Sequence, residues 1–218
     1  MQKYRRTASV SRGHEGVFPA TAGAYASTPD SVANSITGDI DLVIRVAMAD
    51  WTPGVTSYLL TKFEVANQIS YLVSITTSGT IQLEWSVLGT IVATAASSVP
   101  TGLTDGAFAT IRVTLDVDNG AVGHTARFYV DGVELGSAFV GVGITAIFDS
   151  SSNVTLSGFA NGLAGTMTAS VISYAEIRNG IGGPAVNIFD PRSARRGATS
   201  WVAATGEVWT INGAASIR

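Results

Sequence analysis

The 218-residue chain predicts an all-β fold, with two antiparallel sheets packed face to face. Three observations carry that expectation. Apolar residues recur with a period of two and nowhere sustain a period of 3.6. Turn signals separate the alternating runs at short intervals. The composition suits strands and tight turns: there are 24 Gly, while Lys, a common residue of exposed helix faces, occurs only at Lys3 and Lys62.

The elements follow in order. In 39–46, Ile40, Leu42, Ile44 and Val46 share one face, and Asp39, Asp41 and Arg45 share the other. That is the pattern of a half-buried antiparallel strand. Strands are expected at 56–66 and 69–77. Ile81, Leu83, Trp85 and Val87 then alternate with Gln82, Glu84 and Ser86, which places Trp85 in the core. After a strand at 90–96, Ile111, Val113, Leu115 and Val117 alternate with Arg112, Thr114, Asp116 and Asp118. Asp131-Gly132 between 124–131 and 133–139 is a two-residue hairpin signal. Strands at 153–159 and 164–178 complete the body. Asp190-Pro191 begins a short helix, with Asp as cap, Pro in the first turn and Gly197 as the stop. Many short strands at this spacing form a sandwich or jelly roll.

Composition narrows the class further. At 46% hydrophobic, 13% charged and a net charge of −3, the chain can bury a core and is not of disordered type. No apolar run of about 18 residues predicts a transmembrane helix, and no membrane partner is expected. Met1-Gln2-Lys3-Tyr4-Arg5-Arg6 lacks the apolar stretch of a secretory signal. The absence of Cys removes disulfides, zinc thiolates and cysteine catalysis.

Three regions are expected: a basic arm at 1–20, a body at 21–180 and an extension at 181–218 packed on the body or a neighbour. Ile181-Gly182-Gly183-Pro184 marks the break. Two Trp in the extension, Trp201 and Trp209, argue that it packs rather than floats. Residues 1–12 carry four bases and no acid, whereas 13–191 carry five bases against fifteen acids. Lys3, Tyr4, Arg5, Arg6 and Arg12 are therefore candidate assembly contacts, docking on acidic neighbours or on the acidic body. A solvated terminus is the alternative. Nucleic acid is not an expected partner, because the body is acidic and no basic, aromatic-laced strand occurs.

No catalytic residue is assigned. Glycoside hydrolysis needs two carboxylates about 5 Å or about 6.5–9.5 Å apart across one sugar bond. Asp39 with Asp41, and Asp116 with Asp118, are the nearest candidates, and both read as solvent-side acids of amphipathic strands. His14 reads as an exposed loop residue and His124 as the start of a strand, and no Gly-x-Ser-x-Gly elbow accompanies them. No cofactor or metal is assigned. Asp116-Val117-Asp118-Asn119-Gly120 has the look of a calcium loop start, without the later Glu of an EF-hand. Val140-Gly141-Val142-Gly143 precedes no helix, so a phosphate cradle is not expected. Carbohydrate recognition needs an exposed ring beside polar groups. Asp50-Trp51, in the turn with Thr52-Pro53-Gly54, is the candidate glycan-binding pair. The alternative is a Trp folded over the core edge.

Phe128-Tyr129-Val130-Asp131-Gly132-Val133-Glu134-Leu135 resembles the Tyr-x-Asp-Gly hairpin of laminin G-like domains, within the concanavalin A-like jelly-roll superfamily. The strand 109–116 before it, and the segment 158–177 with Gly165-Thr166, resemble neighbouring strands of that domain. Tyr25-Ala26-Ser27-Thr28-Pro29-Asp30, with 37–41 and the ending 197–213, resembles virion proteins of tailed bacteriophages that infect actinobacteria. The resemblance implies a non-enzymatic structural protein of the virion, a minor tail protein or a capsid accessory (decoration) subunit. It would sit in multiple copies, or as a homo-oligomer, against other virion proteins, and weak surface contacts would then act through avidity. The alternative is a carbohydrate-binding module that contacts host-surface glycans.

Overall fold

The computed structural model describes residues 14–64, 67–90, 92–159 and 168–218. Lys3, Tyr4, Arg5, Arg6 and Arg12 lie outside the described residues, as does 164–167 of the expected closing strand. Among the described residues the strands are β1 (Gly16–Phe18), β2 (Tyr25–Thr28), β3 (Ile40–Met48), β4 (Ser57–Glu64), β5 (Gln68–Ile75), β6 (Ile81–Ser86), β7 (Val92–Ala96), β8 (Phe108–Asp116) and β9 (Gly123–Val130). They continue as β10 (Val133–Glu134), β11 (Phe139–Val142), β12 (Val154–Leu156), β13 (Ser170–Asn179), β14 (Ala185–Phe189), β15 (Ser200–Val202), β16 (Val208–Asn212) and β17 (Ser216–Ile217).

These strands form two antiparallel sheets, as expected. One runs β10-β9-β8-β3-β13-β1-β17, with β11 also on β9 and β14 also on β13. The other runs β15-β16-β2-β12-β4-β5-β6-β7. The alternation predicted for β3 and β8 is what closes the sandwich. Ile40, Leu42, Ile44 and Val46 of β3, with Ile111, Val113 and Leu115 of β8, are fully buried between the layers. Each such side chain contributes about 1.5–3 kcal/mol by leaving water. Trp85 lies in the same core.

At the hairpin, Asp131 and Gly132 adopt φ of 49° and 82°. Two left-handed residues in sequence make the turn whose twist matches the flanking strands, so Val130 pairs with Val133. The strand expected at 133–139 is interrupted. Gly136 takes φ of 73°, and Ser137 N donates to Ser98 Oγ at 2.9 Å. The chain leaves the sheet there and returns as β11, which contains Gly141. The helix expected after Asp190 is a single 3₁₀ turn, Pro191–Ser193. Asp190 caps it as predicted, but Ala194 is already extended, so the helix stops well short of Gly197.

The first and last described strands are woven into the sheets. β1 lies between β13 and β17, and β2 lies between β12 and β16. Glu15 and Arg218 exchange backbone hydrogen bonds of 2.9 and 3.0 Å. Residues 181–218 therefore supply strands to both layers, and β1 falls inside the segment read as an arm. Trp201 and Trp209 each meet the Phe189 ring edge to face, at 5.3 and 5.1 Å. Trp209 Nε1 donates to Ile188 O at 2.9 Å.

Candidate functional site

The candidate site is the outer face of the sheet that carries β9, β8, β3 and β13. Its residues fall into cross-strand rows. Tyr174, Arg45 and Thr110 are in register on β13, β3 and β8. The next row holds Glu176, Val43, Arg112 and Tyr129, and the one after it Arg178, Asp41, Thr114 and Arg127. A register shift between Ile172 and Tyr174 leaves Ser173 and Tyr174 both facing outward. Such a bulge re-aims side chains that strict alternation would bury.

Most charges on this face are already paired. Arg112 binds Asp41 through two bonds, Nε to Oδ1 at 2.9 Å and Nη2 to Oδ2 at 2.8 Å. Gly182 N donates to the same carboxylate at 3.0 Å. The Asp41 hydrogen bond holds the Arg112 guanidinium above its usual range. Arg112 also stacks over Tyr129, 5.2 Å from the ring centre. Arg178 pairs with Glu176, and Tyr174 Oη donates to Glu176 Oε2 at 2.6 Å. Burial, then that bond, push the Tyr174 phenol upward, so it stays a neutral donor. Arg127 pairs with Glu134 at 2.7 Å.

Two hollows open on the face. One, of about 580 Å³, is lined by His14, Glu15, Arg45, Phe108, Tyr174 and Arg192, with the hydroxyls of Thr110 and Ser173. Arg45 lies over the Phe108 ring at 5.4 Å and has no carboxylate partner among the described residues. The second, of about 470 Å³, is lined by Thr114, Asp116, Asn119, Thr125, Arg127, Tyr129 and Ile181. The face thus combines planar charged groups, hydroxyls and rings, the groups that hydrogen-bond and stack on polar ligands.

The residues expected to carry function sit elsewhere or act differently. Trp51 is a correction: it is 1% exposed and presents no ring face to solvent. Its N donates to Asp105 Oδ1 at 2.8 Å, and its Nε1 to Ala107 O at 3.4 Å. Asp50 accepts from Thr52 N and Thr52 Oγ1, closing its own turn. Asp39 accepts from Val117 N at 2.9 Å, and Asp41 is committed to Arg112, so neither reads as a free solvent-side acid. In the stretch with the look of a calcium loop, Asp116, Asp118 and Asn119 each accept the backbone N–H two residues on. That is a ladder of side-chain turns. Among the described residues no three His, Asp or Glu side chains are grouped to hold a metal ion.

His124 lies near the start of β9 as expected, whereas His14, expected to be exposed, is half-buried. His14 Nδ1 donates to Ala194 O at 2.7 Å on the wall of the larger hollow. His124 is buried in β9, edge-on to Trp85 at 4.7 Å. Sequence reasoning missed Phe108, Thr110, Ser173 and Tyr174 as one cluster. The only signal was the polar phase of strands whose order in the sheet the sequence does not state. It also missed Lys62, a fully buried ammonium held by Asp30 at 2.9 Å, Ser150 O at 2.5 Å and Asp149 at 3.4 Å.

No protein-family model matches the sequence. No curated protein matches it either. Solved structures do. The chain is similar to a candidate carbohydrate-binding protein from Bacteroides ovatus, with a TM-score of 0.68 at 10% identity, over 94% of this chain and 59% of that one. It is similar to the LG4-5 domains of the mouse laminin α1 chain, with a TM-score of 0.56 at 11% identity, over 90% and 52%. It also resembles botulinum neurotoxin type C, which depends on two ganglioside molecules to get into cells, with a TM-score of 0.54 at 13% identity, over 77% and 39%. The chain thus spans little more than half of the first two and less of the third. At these identities the likeness is one of fold: the two-sheet jelly roll of laminin G-like and lectin-like domains, which are mostly binding rather than catalytic. None of the three is a virion component.

Proposed function

We propose that this chain is a carbohydrate-binding sandwich whose recognition face is the outer surface of β9, β8, β3 and β13. The observation that carries the reading is the row Tyr174–Arg45–Thr110 above the larger hollow, with the Arg45 guanidinium resting on Phe108. A sugar offers hydroxyls on its rim and C–H groups on its faces. Fixed donors such as Arg45, with acceptors such as Glu15, Thr110 and Ser173, suit the rim, and the partly exposed Phe108 ring suits a face. Sugar binding by similar folds supports the choice of ligand class.

A glycan array tests it. Wild-type protein should give specific positives that Phe108→Ala and Arg45→Ala both reduce at least tenfold. Val202→Ala, on a strand of the opposite sheet, should leave them unchanged. A blank array, or signals that ignore Phe108 and Arg45, overturns the reading.

Display of such a module on a phage particle rests on the resemblance of residues 25–41 and 197–213. It is tested by particle incorporation of a chain lacking residues 1–12. Normal incorporation would refute a role for the basic arm.

A further inference from the structure

The two hollows share one strand. Along β8, Phe108, Thr110, Arg112 and Asp116 lie at least partly exposed on the outer face, and Thr114 lies on the same face but is itself buried, while Ala109, Ile111, Val113 and Leu115 are buried on the other side. Phe108 and Thr110 line the larger hollow, and Thr114 and Asp116 line the smaller. Arg112 lies between them, clamped by Asp41 and stacked on Tyr129. At about 3.4 Å per residue, Thr110 and Thr114 are about 14 Å apart, so the whole row is a track longer than one sugar ring.

The charges along this track nearly balance. Arg112, Arg127 and Arg192 each have an acid of the chain itself: Asp41, Glu134 and Asp190. Arg45 shares its hollow with Glu15, which has no cationic partner among the described residues. Asp116 adds one acid at the far end. Among the described residues no cluster of like charge remains on the track for a polyanion or a polycation to neutralise, whereas paired guanidinium and carboxylate groups still hydrogen-bond hydroxyls.

We infer that the ligand is an extended, uncharged chain of sugars laid along β8 from Phe108 to Asp116, filling both hollows and crossing Arg112. This rests on the carbohydrate reading of the same face. Calorimetric titration tests it, using neutral gluco-, manno- and galacto-oligosaccharides of one to six residues, with oligogalacturonates as the charged comparison. One neutral series should tighten at least tenfold between the monosaccharide and the hexasaccharide. Its affinity should change less than twofold between low and physiological salt. Arg127→Ala and Thr125→Val, both in the far hollow, should each weaken the hexasaccharide about fivefold and leave the disaccharide unaffected, while Phe108→Ala weakens both.

Equal affinity for one and six residues overturns the inference and leaves the sugar-binding face standing. So does a hexasaccharide indifferent to Arg127 and Thr125, or tighter binding of the oligogalacturonates. If no neutral series binds while the glycan array is positive, the uncharged chain is wrong and the face survives. If the array is also blank, both readings fall.

Discussion

Arg112 and Asp41 meet through two side-by-side hydrogen bonds across β8 and β3, and the carboxylate is fully buried while the guanidinium is a third exposed. That difference makes the pair asymmetric. Arg112→Ala strands a buried charge, so it should cost about 3 kcal/mol, the low end for breaking a buried pair. Asp41→Asn leaves a guanidinium that water can reach and should cost less. Arg112→Lys should not restore stability, since an ammonium cannot make both bonds. Denaturant midpoints of the three variants check the order.

Tyr71 is fully buried, and its Oη has no hydrogen-bond partner among the described residues. Burial, and then the charges of Asp30 and Asp149, push its phenol far up, so the hydroxyl is neutral. Removing an unsatisfied hydroxyl recovers its desolvation penalty. Tyr71→Phe should therefore stabilise the protein by about 1 kcal/mol, read as a higher denaturant midpoint with an unchanged slope.

Asp190 caps the Pro191–Ser193 turn and chelates Arg192. Burial alone would raise its carboxyl, but the Arg192 side-chain and backbone hydrogen bonds outweigh burial and hold it below the ordinary range. A depressed folded value means the stabilisation is complete above the unfolded value, near about 4, and fades as pH falls through the lowered one. Asp190→Ala should cost about 1 kcal/mol at neutral pH, mostly as lost capping. The gap between wild type and variant should narrow on acidification, measured as Tm from pH 6 to pH 2.

Gly132 and Gly213 both hold positive φ, 82° and 59°, in different surroundings. A Cβ at Gly132 would meet nothing within 4 Å, so Gly132→Ala should cost only the backbone term, about 1–2 kcal/mol. A Cβ at Gly213 would lie 2.3 Å from Gly23 O, which must move. Gly213→Ala should be the more destabilising of the two in a thermal melt.

Much of the fold is legible because two-layer burial writes its period into each strand. Ile40 to Val46 and Ile111 to Leu115 state which side faces in, and Asp131-Gly132 states where the chain reverses. Strand partners across the whole chain are not written that way. β16 sits beside β2, and β17 beside β1, so residues 181–218 read as a tail although they complete both sheets. The site is hidden for a related reason. Tyr174 reaches the face through a bulge, and it meets Arg45 and Thr110 only once β13, β3 and β8 are adjacent. Trp51 misleads because a Trp in a Pro-Gly turn looks exposed, yet Asp105 from a distant loop pins its backbone and the ring turns inward. Lys62 is buried because Asp30 and Asp149 converge on it from loops far apart in sequence.

The most direct test is to map where sugar touches the protein, by NMR shift perturbation with the tightest array glycan. Resonances of Arg45, Phe108, Thr110 and Tyr174 should move, and those of β4, β5 and β6 in the opposite sheet should stay still. Perturbations confined to that opposite sheet, or scattered over the sandwich without a focus on Phe108, would contradict the assignment of the binding face.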